Sequence, residues 1–214
     1  IEAFHKNQQW YDEDKIITSY SNKDVEAYNK LVRDYYWHER GLKEPQLFLP
    51  NDKVRFKSSY DRQETPTRVN TPVFSNGEEA TIKDAKIIDH RPSGIKFWEC
   101  SVYGRNELDF FRVVDPESID DLNKILEGYI QLAKTTTYPQ NKSYWKMYFN
   151  IKSAFADVQY IYASTVHKLQ GSTYNTAYID LASIANNEQI SSDLKYRLAY
   201  VAITRASKNL KILF

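Results

Sequence analysis

What the sequence lacks narrows its chemistry first. Its 214 residues include one cysteine, Cys100, and one methionine, Met147. A lone cysteine excludes an intramolecular disulfide, and His5, His38, His90 and His167 show no ligand spacing for a metal. The pattern reads as a protein of a reducing compartment without structural zinc. No apolar run approaches the roughly 18–20 residues that cross a bilayer, and Ile1-Glu2-Ala3-Phe4-His5-Lys6 lacks the basic-then-apolar order of a signal peptide. A cytoplasmic protein with no membrane partner is expected. The first residue is Ile, so the chain reads as a fragment of a longer protein. Charge of one sign is also missing: 29 basic against 28 acidic residues leave a net +1. Any nucleic-acid site must therefore be local, since no global field steers a polyanion.

What is present is a globular composition, 42% hydrophobic and 27% charged. The length fits one large domain or two small ones. At the start, Ile16, Ile17 and Tyr20 mark a strand from Lys15 to Tyr20. The capping-box-like Ser21-x-x-Asp24 then precedes Val25, Tyr28, Val32 and Tyr35 at helical spacing. After Gly41, Pro45 and Pro50 the period changes to two, which predicts strands at Lys53–Lys57, Ala80–Ile88, Ile95–Tyr103 and Leu108–Val114. Turns such as Ser75-Asn76-Gly77 separate them, as in a small barrel. Pro116 and Ser118, with Asp121 three residues on, open a helix with an apolar face of Ile119, Leu122, Leu126, Tyr129 and Ala133. A second helical stretch runs from Tyr144 to Phe155. The end returns to alternating texture: strands Val158–Ala163, Asn175–Leu181 and Leu210–Phe214, and a helix Asp193–Thr204. Such alternation implies a parallel sheet. The first and last stretches then form one α/β domain, with the β-rich middle inserted as a second unit.

Two stretches could carry chemistry. Tyr162-Ala163-Ser164-Thr165-Val166-His167-Lys168-Leu169-Gln170-Gly171-Ser172-Thr173 leaves the end of a predicted strand. Ligands of open parallel sheets sit beyond the carboxyl ends of strands, so this polar cluster and its close-approach glycine belong there. Thr165, His167, Lys168 and Gln170 are donors suited to phosphate oxygens; the bland alternative is a polar loop with a turn glycine. Arg205 closes the apolar segment Tyr200-Val201-Ala202-Ile203-Thr204. It offers a fixed fork of donors to a polyphosphate, or it merely neutralises its own helix C-terminus.

Both strings resemble the motifs V and VI of superfamily-1 helicases, in the histidine-and-glutamine form of the Dda/RecD-like branch. Thr18-Ser19-Tyr20-Ser21-Asn22-Lys23, leading to Asn29, is similar to motif IV, and Val73–Ala80 to the Asn-Gly turn of the branch's SH3-like barrel. Val114-Asp115-Pro116 and the pair Trp145 and Phe155 fit the Dda side of the branch. The resemblance covers nearly the whole chain. It implies a second RecA-like domain of the P-loop NTPase type over 1–47 and 156–214, an SH3-like barrel over 48–115, and a helical segment over 116–155. It implies an ATP-dependent helicase that moves 5′ to 3′ on single-stranded DNA and opens duplex. By the same resemblance Arg205 is an arginine finger, with Gln170, Gly171 and Thr204 near the nucleotide. Thr165, His167, Lys168, Ser21 and Asn22 then meet the strand. Thr173 departs from the glutamate that many relatives carry against the ribose, which puts that contact in doubt. The implied partners are single-stranded DNA, a duplex junction, the protein's own N-terminal RecA-like domain and a single-strand-binding or replication protein.

A P-loop is absent: none of Gly41, Gly77, Gly94, Gly104, Gly128 and Gly171 precedes a lysine. Asp12-Glu13-Asp14 follows no apolar strand. ATP and Mg are thus expected to be held mainly by the missing first domain, and this chain alone is expected to be inactive. In the middle, Lys53, Arg55, Lys57, Arg62 and Arg68 face Asp52, Asp61 and Glu64, with Phe56, Tyr60 and Trp98 nearby. Cations interleaved with aromatic faces suit single-stranded nucleic acid; charged guards on strand edges are the alternative. Lys53 and Arg55 are the expected contacts. Two rival functions stay open: a non-catalytic module recruiting a protein through the barrel, and an RNA helicase fragment.

Overall fold

The computed structural model describes residues 14–61, 73–91, 93–104 and 109–213. Asp12, Glu13, His5, Arg62, Glu64, Arg68 and Leu108, all invoked above, lie outside them. The chain divides into two compact units, 1–45 with 160–214, and 46–159.

The first unit begins with β1 (Lys15–Ser19), whose Ile16 and Ile17 are buried on opposite faces. Ser21 follows at an extended φ of −95°, accepts from the Asp24 N–H at 3.0 Å and donates to Asp24 Oδ2 at 2.6 Å. That reciprocal pair starts α1 (Asn22–His38) by satisfying an N–H that the first helical turn leaves open. Val25, Asn29, Val32 and Tyr36 recur at helical spacing and are buried. Three of them pack with Ile17, Tyr162 and Ala163. β1 lies inside a parallel sheet between β7 (Ala163–Thr165) and β8 (Tyr174–Asp180), with β9 (Ala206–Leu213) beyond β8. The other face of this sheet is covered by α4 (Leu181–Ala185) and α5 (Ser192–Ile203), through Ile184, Leu198 and Ala202 against Ile179.

The second unit is built on β2 (Lys53–Phe56), β3 (Glu79–His90), β4 (Ile95–Val102) and β5 (Phe110–Val114), with antiparallel pairing from β2 through β5. β6 (Val158–Tyr160) flanks β2 in the same five-stranded sheet. Phe56, Phe74 and Phe111 are fully buried, and the rings of Phe56 and Phe74 stack 4.3 Å apart. Trp98 joins them and donates its indole N–H to Asp115 at 2.8 Å, which satisfies its one polar atom. Cys100 is buried in β4, and burial pushes its thiol well up, as befits a small hydrophobe. α2 (Ile119–Thr135) and α3 (Asn141–Ser153) pack on each other after β5.

One expectation is corrected. The strand predicted over Val158–Ala163 is two strands in two sheets, broken at Ile161 and Tyr162. The run Tyr160-Ile161-Tyr162-Ala163 stays apolar across the junction, so periodicity shows no break. Ser118 stands at the N-cap position of α2, as expected, but its hydroxyl makes no cap bond: Asp115 accepts the Glu117 N–H at 3.0 Å, while Ser118 Oγ accepts the Lys96 N–H at 3.0 Å. Finally, α4 is one short turn that the sequence pattern does not announce; Asp180 starts it by accepting the Ser183 N–H at 3.1 Å.

Candidate functional site

Because β1 and β7 run parallel with Ser19 beside Thr165, the ends of both strands open on the same edge of the sheet. There the Tyr20 and His167 rings meet edge to face, 5.9 Å apart. The Ser21-Asn22 corner and the Thr165-Val166-His167-Lys168 turn therefore form one group. Asn22, His167 and Lys168 are exposed. Thr165 is buried and Ser21 spends its hydroxyl on Asp24, so these two shape the edge from beneath.

A hydrogen-bonded cluster fixes this edge, and sequence reasoning missed it. The buried Ser19 hydroxyl lies 3.3 Å from Asp180 Oδ2, 3.1 Å from Ser183 Oγ and 3.3 Å from Asp24 Oδ2. Tyr28 donates to Asp180 at 3.0 Å. Burial, with the Asp180 carboxylate beside it, pushes the Tyr28 phenol up to about 12. On the free side of β7, Asn29 accepts the Ala163 N–H at 2.8 Å and donates to the Ala163 carbonyl at 3.3 Å. One side chain thus stands where a further strand would pair.

The remaining predicted residues lie elsewhere. Asn175, at the start of β8, donates its N–H to Asp14 just before β1, and Tyr174 donates to the Arg205 carbonyl at 2.8 Å. Gln170, Gly171, Thr204 and Arg205 therefore sit at the amino ends of the strands. This corrects the expectation that the whole cluster lies at the carboxyl ends. The segment from 166 to 173 has to run back along the sheet, because it joins two parallel neighbours of β1. Its 3-10 turn Val166–Leu169 shows the descent: Val166 packs beside Ile179, and Leu169 beside Ile16 and Ala177.

Arg205 holds the lower end of that segment. Its guanidinium donates to the Ser172 carbonyl at 2.6 Å, the Leu169 carbonyl at 3.3 Å and Thr204 Oγ1 at 2.9 Å, and its Nε to the Val201 carbonyl at 2.8 Å. Both readings of Arg205 have geometry here, since Val201 belongs to the last turn of α5 and Leu169 and Ser172 flank Gly171. Gly171 itself has φ of +90°, and a Cβ built there meets no atom within 4 Å. It therefore requires a left-handed backbone, and the space above it is open.

Residues 160–213 match the family of UvrD-like helicase C-terminal domains. The match includes the 166–172 segment and Arg205, and misses β1 and α1 because they lie far upstream in the sequence. Over 206 residues the chain is 25% identical to the ATP-dependent DNA helicase Dda of Enterobacteria phage T4, across 88% of this chain and 44% of that protein. A crystal structure of the Pif1 helicase from Candida albicans aligns with 94% of this chain and 45% of its own, at 14% identity and a TM-score of 0.39. The chain spans less than half the length of these relatives.

Lys53 and Arg55 lie in the second unit, on β2. Arg55 faces Glu79 across the β2–β3 ladder and forms an ion pair with it. Its charge is thereby matched locally, although β2 lies between β3 and β6 and is not an edge strand. Among the described residues no group of three acidic, histidine or cysteine side chains could hold a metal ion. No helix among them is long and apolar enough to cross a membrane.

Proposed function

We propose that this chain is the C-terminal motor half of an ATP-dependent DNA helicase that moves 5′ to 3′ on single-stranded DNA. The observation that carries the reading is the path of residues 165–172. One segment touches the exposed His167 and Lys168 at one edge of the sheet and is held by Arg205 at the other. A displacement at either edge must move the same short turn, because Val166 and Leu169 are fully buried and anchor it to the core.

In this reading Asn22, His167 and Lys168 contact the strand, and the 46–159 unit is the SH3-like barrel with its helical arm. ATP with its Mg ion supplies the hydrolysable phosphoanhydride, and the first RecA-like domain of the full protein holds it. What fits in this chain is the donor set of Arg205. Its partners are neutral carbonyls and the Thr204 hydroxyl, weaker acceptors than a phosphate oxygen, and the space above Gly171 is open. Arg205 would exchange the Leu169 and Ser172 carbonyls for phosphate and so release the segment that carries His167.

The test is Arg205→Ala in the full-length protein, with nucleotide binding and hydrolysis measured separately. Retained binding with hydrolysis down about 10³-fold or more supports the finger. Unchanged hydrolysis with a lowered melting temperature supports a second reading, a structural brace, which the four hydrogen bonds of Arg205 favour. Arg205→Lys separates them further, because lysine keeps the charge and loses the fork.

A further inference from the structure

The chain as a whole carries a net +1, yet residues 128–156 contain four lysines, Lys134, Lys142, Lys146 and Lys152, and no acidic residue. The same stretch holds seven aromatic residues. α3 occupies its second half and concentrates both features. Lys142, Lys146 and Phe149 recur at i, i+4 and i+7, so they share one stripe of the helix. All three are exposed, Phe149 to 58%. Trp145 borders the stripe, its ring 6.2 Å from that of Phe149 and tilted by 30°. Lys142 Nζ lies 4.8 Å from the centre of the Tyr138 ring, itself 69% exposed, and Lys152 Nζ lies 5.6 Å from that of Tyr148.

Two physical features of this stripe need a ligand. Like charges at i and i+4 on a helix repel by a few tenths of a kcal/mol, and among the described residues none of Lys142, Lys146 and Lys152 forms an ion pair with a carboxylate. Exposed aromatic faces beside them gain nothing in water. A partner that relieves both must be anionic along its length and offer flat apolar faces at short intervals. Single-stranded nucleic acid does so, and every base has such a face whatever the sequence. A lipid surface would want a broad apolar face, whereas here the apolar side chains alternate with lysines.

We infer that the Lys142–Lys146–Phe149 stripe of α3, with Trp145 beside it, is a second contact for single-stranded nucleic acid, independent of the edge formed by His167 and Lys168. The lysines take phosphates and Phe149 stacks on a base. The contact is indifferent to sequence, and it stands whether or not Arg205 is a finger.

The experiment is a fluorescence-anisotropy titration of the complete chain with fluorescein-labelled oligothymidylate at several salt concentrations. Lys142→Ala with Lys146→Ala should weaken binding and flatten the salt dependence by about 1.4 in the slope, at roughly 0.7 for each single-strand phosphate deprived of its lysine. Phe149→Ala should weaken binding about 5-fold or more with the slope unchanged. All positions are exposed, so melting temperatures should hold and a folding defect is not expected. Wild-type affinity and slope in both variants would overturn the proposal. If His167→Ala with Lys168→Ala then abolishes binding, the edge reading survives alone; if the chain binds no oligonucleotide at all, both fail. Sedimentation supplies the remaining outcome: a self-association that Phe149→Ala removes, with oligonucleotide binding intact, assigns the stripe to a second copy and also overturns it.

Discussion

Asn29 ties α1 to β7 through both main-chain groups of a single residue. It is 2% exposed and satisfies both main-chain groups of Ala163 on the open side of β7. Replacing it by Leu leaves a buried N–H and a buried C=O unpaired, each costing about 1–3 kcal/mol. Asn29→Leu should therefore lower stability by about 2 kcal/mol or more in urea denaturation. It should also weaken oligonucleotide binding at His167, four residues beyond Ala163; a variant as stable as the parent would dissociate Asn29 from β7. A second residue gives a pH signature. Tyr28 is raised from its usual 10.0 to about 12 by burial and by Asp180. The folded chain then keeps a proton that the unfolded chain releases, so this stabilisation is complete below about pH 10 and is lost as pH rises towards 12. Tyr28→Phe should flatten the fall of the unfolding midpoint across that window while leaving the neutral-pH curve shape unchanged. An identical alkaline slope in both proteins would show that the phenol titrates freely.

At the scale of elements, the decisive piece is the 3-10 turn and the glycine after it. Gly171 at φ of +90° lets the chain reverse into β8 with Ser172 presented to Arg205. An alanine there must hold a left-handed backbone, which costs about 1–2 kcal/mol. Gly171→Ala should destabilise by that amount and, in the full-length protein, slow ATP hydrolysis together with unwinding, since the Ser172 carbonyl would shift from the guanidinium. A destabilised variant with normal hydrolysis would separate the turn from the motor. Such elements also show how far the sequence speaks. α1 is legible because Ser21 and Asp24 cap it and its apolar residues keep a helical period, and both features are local. The descent of residues 166–169 is not, because it follows from β7 and β8 both pairing with β1, a relation between residues more than 140 positions apart. Asn29 is visible as part of a motif, and its bond to Ala163 is not, for the same long-range reason. The basic-aromatic run of α3 is readable as composition alone: local charge against a near-neutral background.

Across the whole molecule, the two units differ in how the chain supplies them. Residues 46–159 are contiguous and carry their own aromatic core around Phe56, Phe74 and Phe111. The other unit is made from both ends of the chain, and β1 stands between β7 and β8. Removing residues 1–45 takes β1 and α1 together, so β7 loses its strand partner among the described residues and Ala163 its Asn29. The segment 46–159 should therefore fold by itself with one cooperative melt, whereas 160–214 alone should show no cooperative transition, and mixing it with 1–45 should restore one only at high concentration. Phe111→Ala, which empties about one aromatic ring from the second core, should cost the isolated 46–159 unit about 3–5 kcal/mol. In the complete chain it should shift one calorimetric transition and leave the Asn29-dependent one in place. A single transition that moves with both substitutions would mean that the units fold as one cooperative body.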